Sequence, residues 1–170
     1  MTFTLTRAFG TLPEGARLTF RTPATGNGRV FLPVEPDGAE ILAVDGRGRP
    51  ALPLRRTGAG SVVFCTYPIE HMAAVTPRVN PEATSALYDA LAAHAGVSRP
   101  VTVADPRVAV DRLVHEDGRV FVWLVSQARA ELTVKPVVAD GGRLTSLDGT
   151  TAQTVVLPPY GVRVLRLETS

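Results

Sequence analysis

Residues 38–71 read GAEILAVDGRGRPALPLRRTGAGSVVFCTYPIEH, and this stretch decides the fold class. Residues 39–44 (AEILAV) form an extended apolar run. Asp45-Gly46-Arg47-Gly48-Arg49 reverses the chain, because Asp-Gly and Gly supply the positive φ of a tight turn. Residues 50–56 return, Gly58-Ala59-Gly60 turns again, and residues 61–67 (SVVFCTY) follow. The last segment is apolar at both alternating positions, which predicts a strand inside a sheet, buried on both faces.

Outward from this hairpin, residues 2–6 and 17–21 alternate apolar and polar, as half-buried strands do. Residues 23–28 (PATGNG) predict a loop, and residues 29–34 a third extended piece held to a sheet edge by Pro33. One helix is legible, over residues 82–95. Asn80 is its cap and Pro81 its first residue. Ala83, Ala86, Leu87, Ala90 and Leu91 make one apolar stripe, and Gly96 suits the left-handed position after the end. A shorter turn is read over 69–74, then an irregular bridge over 76–81.

Beyond residue 97 the texture is all-β. Strands are expected at 108–115, 120–125, 131–135, 142–147, 154–157 and 162–167, separated by Gly-rich turns, which indicates an antiparallel sandwich. Two domains follow: 1–97, β-rich and α/β, and 98–170, the sandwich. Residues 120–125 (VFVWLV) are apolar at every position, so Phe121 and Trp123 are expected in the core.

The composition bounds the function. Hydrophobic residues make up 45% and charged residues 20%, which is globular. Of the eighteen basic residues only Lys135 is lysine, net charge is +2, and the arginines are scattered, so no nucleic-acid surface is expected. Cys65 is the single cysteine, so no intrachain disulfide forms. The N-terminal residues lack the apolar core of a signal peptide and no run approaches about 18 apolar residues, so a cytoplasmic chain without a membrane span is expected.

Three segments together carry a resemblance: GAGSVVFCTYPIEH (58–71), RLVHEDGRVFVWLVSQ (112–127) and LPPYGVRVLRL (157–167). They resemble the C-terminal region of bacterial multidomain glycoside hydrolases of the family 42 β-galactosidase type and actinobacterial cellulase-like or mannosidase-like relatives. The resemblance implies a partial flavodoxin- or amidotransferase-like α/β layer, the remnant of a trimerisation-like domain, followed by the C-terminal β-domain. An eight-stranded catalytic barrel takes about 250 residues, and this chain has 170. The barrel with its carboxylates is therefore expected to be missing. The implied role is accessory: packing and assembly, without catalytic activity in this chain alone. Its partners would be further copies or a separate barrel-bearing chain.

Glycoside hydrolysis needs two carboxyls about 5–5.5 or 6.5–9.5 Å apart. Glu35, Asp37, Glu40, Glu70, Glu116 and Asp117 are the obvious acids, and none falls in a pattern that marks a pair. Cys65 with His71 and Glu70 has the residue types of a nucleophile set, but no glycine elbow surrounds Cys65, so a structural cysteine is expected. A small hydrolase using Cys65 or a Glu pair is thus an alternative reading. Tyr67, Glu70 and His71 leave the carboxyl end of a strand, where open α/β sheets place ligands, and are expected near an interface or site. His71, His94 and His115 lack metal-ligand spacing, so neither metal nor cofactor is expected. Tyr160, in the Pro-Pro-Tyr-Gly turn, is the candidate sugar contact if the β-domain is a carbohydrate-binding module, the other alternative.

Overall fold

A computed structural model describes residues 1–21, 30–75 and 81–168. The chain divides into two compact units, Met1–Val97 and Ser98–Ser170. The loop expected at 23–28, Arg29, the Asn80 cap and most of the 76–81 bridge lie outside the described residues.

Among the described residues the first unit is built on five strands: β1 (Thr2–Leu5), β2 (Arg17–Thr19), β3 (Glu40–Asp45), β4 (Pro50–Thr57) and β5 (Gly60–Val63). Two helices follow, α1 (Ile69–Val75) and α2 (Pro81–His94). The strand order is β2-β1-β3-β4-β5 and every pair is antiparallel. A flavodoxin-like layer needs parallel strands joined by crossover helices, so that part of the expectation is corrected to an antiparallel sheet with two helices. Phe3, opposite Leu18 on one side and Asp45 on the other, sits at the centre of the core. Leu5, Leu42, Leu52 and Leu54 from the strands and Ile69, Met72, Leu87 and Ala90 from the helices complete it. Ala83, Ala86 and Leu91 pack against it, so the apolar stripe of α2 faces the sheet as its spacing requires.

The Asp45–Arg49 turn forms as read. Gly48 takes φ +76°, the Gly48 amide donates to the Asp45 carbonyl at 2.9 Å, and the Asp45 amide donates to the Arg49 carbonyl at 2.9 Å. The end of α2 also forms as read, with Gly96 at φ +69° and the Val97 amide returning to the Ala92 carbonyl at 2.9 Å.

Two expectations for this unit are overturned. The strand buried on both faces is β4, through Ala51, Leu52, Pro53 and Leu54, not the one that follows it. β5 is the sheet's edge, with Val62 59% and Phe64 42% exposed. Residues 30–34 form no strand; the Leu32 amide makes one hydrogen bond, 2.9 Å to the Thr66 carbonyl.

The second unit holds β6 (Val101–Thr102), β7 (Val108–Val114), β8 (Val120–Ser126), β9 (Leu132–Val134), β10 (Val137–Val138), β11 (Arg143–Thr145), β12 (Val155–Leu157) and β13 (Val162–Glu168). A four-stranded sheet β11-β13-β8-β7 and two strand pairs, β10-β6 and β12-β9, are all antiparallel. Val122 and Leu124 of β8, Leu165 and Leu167 of β13, Val134 of β9 and Leu157 of β12 share one core. This is sandwich-like, as expected. The placement of Phe121 and Trp123 in the core is not: Phe121 is half-buried and Trp123 is 40% exposed. In a strand only one of the two alternating sets can face the second layer, and here Val122 and Leu124 take that side.

Candidate functional site

The site begins where the chain leaves β5. The Phe64 amide still donates to the Pro53 carbonyl at 2.9 Å and the Thr66 amide to the Ala51 carbonyl at 3.1 Å, so residues 64–66 run on along β4. The Thr66 hydroxyl donates to the Pro50 carbonyl at 2.8 Å. Pro68 then ends the extended run, and the Met72 amide donating to the Pro68 carbonyl opens α1. This change of direction leaves an open cleft of about 720 Å³, lined by Val30, Leu32, Cys65, Tyr67, Pro68, Glu70 and His71. Tyr67, Glu70 and His71, singled out from the sequence, thus line one cleft with Cys65.

Behind the cleft wall lies a polar network. The Tyr67 hydroxyl donates to Asp45 Oδ2 at 2.6 Å and accepts from Arg49 Nη2 at 2.7 Å. Arg49 Nε also donates to Asp45 Oδ2 at 2.8 Å, and the amides of Arg47 and Arg49 donate to Asp45 Oδ1 at 2.8 and 2.9 Å. Asp45 and Tyr67 are buried. Burial pushes the Asp45 carboxyl up, but the donors from Tyr67, Arg49 and Arg47 outweigh it and hold it well below the usual carboxylate range. Burial and then the hydrogen bond to Asp45 push the Tyr67 phenol up to about 12. Arg49 also lies over the Phe31 ring, 4.2 Å from its centroid, and Phe31 packs on Tyr67 at 5.5 Å between centroids.

On the helical side, Glu70 Oε1 accepts from the Tyr88 hydroxyl at 2.8 Å, tying α1 to α2; that bond is also the main reason the Tyr88 phenol is raised. Cys65 is half-buried, and burial pushes its thiol up, with the Glu70 charge adding in the same direction. A nucleophilic cysteine needs the opposite shift, so the structural reading of Cys65 is the one its surroundings support. Alkylation of the native chain by iodoacetamide at pH 7, followed by mass spectrometry, is expected to be slower than that of the denatured chain by about tenfold or more. Equal rates would restore Cys65 as a nucleophile.

Several of the other acids are paired locally. Glu40 pairs with Arg7 at 2.7 Å. Asp117 pairs with Arg119 at 2.6 Å and with His115 at 3.0 Å. Asp105, Asp117 and Asp148 are held low, the first two chiefly by the guanidinium groups of Arg107 and Arg119, the third by the Thr150 amide. Among the described residues no group of three His, Cys, Asp or Glu side chains could hold a metal ion, and no helix is long and apolar enough to cross a membrane. His94 ends α2, stacked on Phe9 at 4.8 Å and bonded through Nε2 to Ser61 Oγ at 2.9 Å.

In the second unit Tyr160 is 56% exposed at φ +53°, in the turn that leads into β13. The sequence did not reveal the Asp45–Arg49–Tyr67 network. Asp45 reads locally as a turn residue, and nothing in residues 61–67 announces that Tyr67 reaches back to it. It also did not reveal Val30 and Leu32 as cleft walls, because contacts distant in sequence hold this segment: the Leu32 amide on the Thr66 carbonyl, and Phe31 on Tyr67 and Arg49.

No protein-family model matches the chain, and no curated protein matches it. Solved structures do. The crystal structure of the β-galactosidase from Bacillus circulans sp. alkalophilus superposes with a TM-score of 0.55 at 20% identity, over 97% of this chain and 22% of that one. The cold-adapted β-galactosidase from Rahnella sp. R3 superposes with a TM-score of 0.58 at 16% identity, over 97% of this chain and 21% of that one. The likeness is one of fold, and the chain spans about a fifth of the length of either enzyme.

Proposed function

We propose that this chain is an accessory and assembly region of a glycoside hydrolase, and that the bond-breaking carboxylates belong to a catalytic barrel outside it. One observation carries this reading: nearly the whole chain, both units together, matches a fifth of a β-galactosidase. In this reading the first unit, an antiparallel sheet with two helices, serves packing and assembly, and the second is the C-terminal β-domain.

The chemistry of the chain supports an accessory role. A general acid for glycoside cleavage needs a raised carboxyl pKa, and the carboxyls displaced here, Asp45, Asp105, Asp117 and Asp148, are all displaced downward. The cleft offers one carboxylate, already accepting from Tyr88, and a thiol pushed up. No cofactor is needed for such a role, and the work is cytoplasmic carbohydrate metabolism. The partner is a second copy or a separate barrel-bearing chain. Val30 and Leu32, 54% and 52% exposed at the cleft, and Val62 and Phe64 on the β5 edge are the apolar groups it would cover.

The purified chain alone is expected to release no nitrophenol from aryl β-D-galactopyranosides above the blank. Turnover that disappears in Glu70→Gln would sink the accessory reading. Light scattering tests the assembly half: a mass of two or more chains, reduced by Phe64→Ser, is expected, and a monodisperse monomer at micromolar concentration counts against self-assembly.

A further inference from the structure

We infer that the outward face of the β7-β8-β13 sheet is a binding platform for a pyranose ring, centred on Trp123. The register defines the face. Asp111 on β7 and Val164 on β13 lie directly across from Trp123, and Leu113 and Arg166 directly across from Phe121. Paired residues of neighbouring strands share a face with Cβ atoms about 5 Å apart. The indole is therefore flanked by a carboxylate on one side and, one diagonal step away, by a guanidinium on the other.

Three features make this face unlike an ordinary solvated one. Trp123 is 40% exposed and makes no ring contact among the described residues, whereas Arg119 lies over the neighbouring Phe121, 5.8 Å from its centroid. Asp111 Oδ1 accepts only the adjacent Arg112 amide, at 2.7 Å, leaving Oδ2 without a partner among the described residues. The Arg166 guanidinium likewise has no hydrogen bond or ion pair among them. An acceptor-only group and a donor-only group thus stand on either side of a bare aromatic ring.

A sugar satisfies all three at once. A hydroxyl both donates and accepts, so one ring can give to Asp111 and take from Arg166, while a C–H face of the pyranose lies on the indole. A galactoside suits this well, because its axial hydroxyl leaves the opposite ring face as uninterrupted C–H. Size points the same way. Three strands about 4.8 Å apart, over five residues of about 3.3 Å each, give a footprint on the order of 250 Å². A stable protein interface takes about 800 Å² per partner, so the face is small for a second chain and ample for one or two sugar rings. The choice of galactoside as first ligand rests on the proposed function; the platform itself does not.

Trp123 is the chain's only tryptophan, so its fluorescence reports this face alone. The full chain would be titrated with lactose, methyl β-D-galactopyranoside and methyl β-D-glucopyranoside, with saturation-transfer NMR as a readout independent of the indole. A saturable change in emission is expected. Asp111→Asn and Arg166→Gln should each weaken binding about tenfold, and Trp123→Ala should abolish saturation transfer, with melting temperatures unchanged in all three. Binding of the glucoside alone would keep the platform while withdrawing its support from the β-galactosidase-related reading. No response to any pyranoside, or saturation transfer that persists in Trp123→Ala, overturns the inference. So does a Trp123-dependent dimer in light scattering, which would make the face a chain–chain contact.

Discussion

Replacing Asp45 by alanine is expected to destabilise the first unit by about 3 kcal/mol, because it strands several donors around a buried position. The amides of Arg47 and Arg49, Arg49 Nε and the Tyr67 hydroxyl all lose their acceptor together. Arg49 is partly exposed, so water can take over one of these losses; the Tyr67 hydroxyl is buried and has no such replacement. The same network makes stability depend on pH at both ends. The folded Asp45 carboxyl is held low, so its contribution is complete above the ordinary carboxylate value near 3.9 and fades as pH falls below it. The folded Tyr67 phenol is raised to about 12, so its contribution is complete below about 10 and is lost as pH rises from there toward 12. Tyr67→Phe removes the alkaline loss attributable to this residue, and Asp45→Ala flattens the acid side. The only tryptophan lies in the second unit, so hydrogen exchange of β1 and β3 amides is the suitable readout. A pH profile unchanged in both variants would show that the network contributes nothing to the first unit's stability.

Gly10→Ala is expected to cost still more, roughly 3–5 kcal/mol, for steric rather than electrostatic reasons. Gly10 has φ +53°, and a Cβ there would lie 2.1 Å from the Ala90 carbonyl oxygen, with the Ala90 carbonyl carbon and Cα at 2.7 Å. These are backbone atoms of α2, so no side chain can swing aside. Relief requires moving the helix whose Leu87 and Ala90 are fully buried against the sheet. Gly15→Ala is the control. Gly15 has φ +77°, but a Cβ there meets nothing within 4 Å, so it carries the strain of a left-handed alanine, about 1–2 kcal/mol, without the collision. Urea denaturation followed by circular dichroism compares the two. Equal midpoints would mean that α2 does not hold the position described.

The cleft residues were legible in the sequence to the extent that they are contiguous. Tyr67, Glu70 and His71 follow a strand and open a helix, and a strand-to-helix junction is a place where side chains gather around a concavity. Which strand borders them was not legible. SVVFCTY is apolar at both alternating positions, and that pattern ordinarily marks a central strand. Here it marks an edge, because among the described residues β5 pairs with β4 alone. Sheet order is settled by which distant segments dock, and residues 61–67 carry no information about that.

What the sequence determined by itself is local. Its turns, the reach of α2 with its apolar stripe and the alternation of the C-terminal strands all follow from φ preferences and periodicities spanning about a dozen residues or fewer. Tertiary structure alone decided the antiparallel order of the first sheet, the union of Asp45 with Tyr67, and the side of β8 that faces water. In VFVWLVS both sets of alternating residues are apolar enough to be buried. Only the second layer, by packing on Val122 and Leu124, left Trp123 outside, since a strand has two faces and this core covers one.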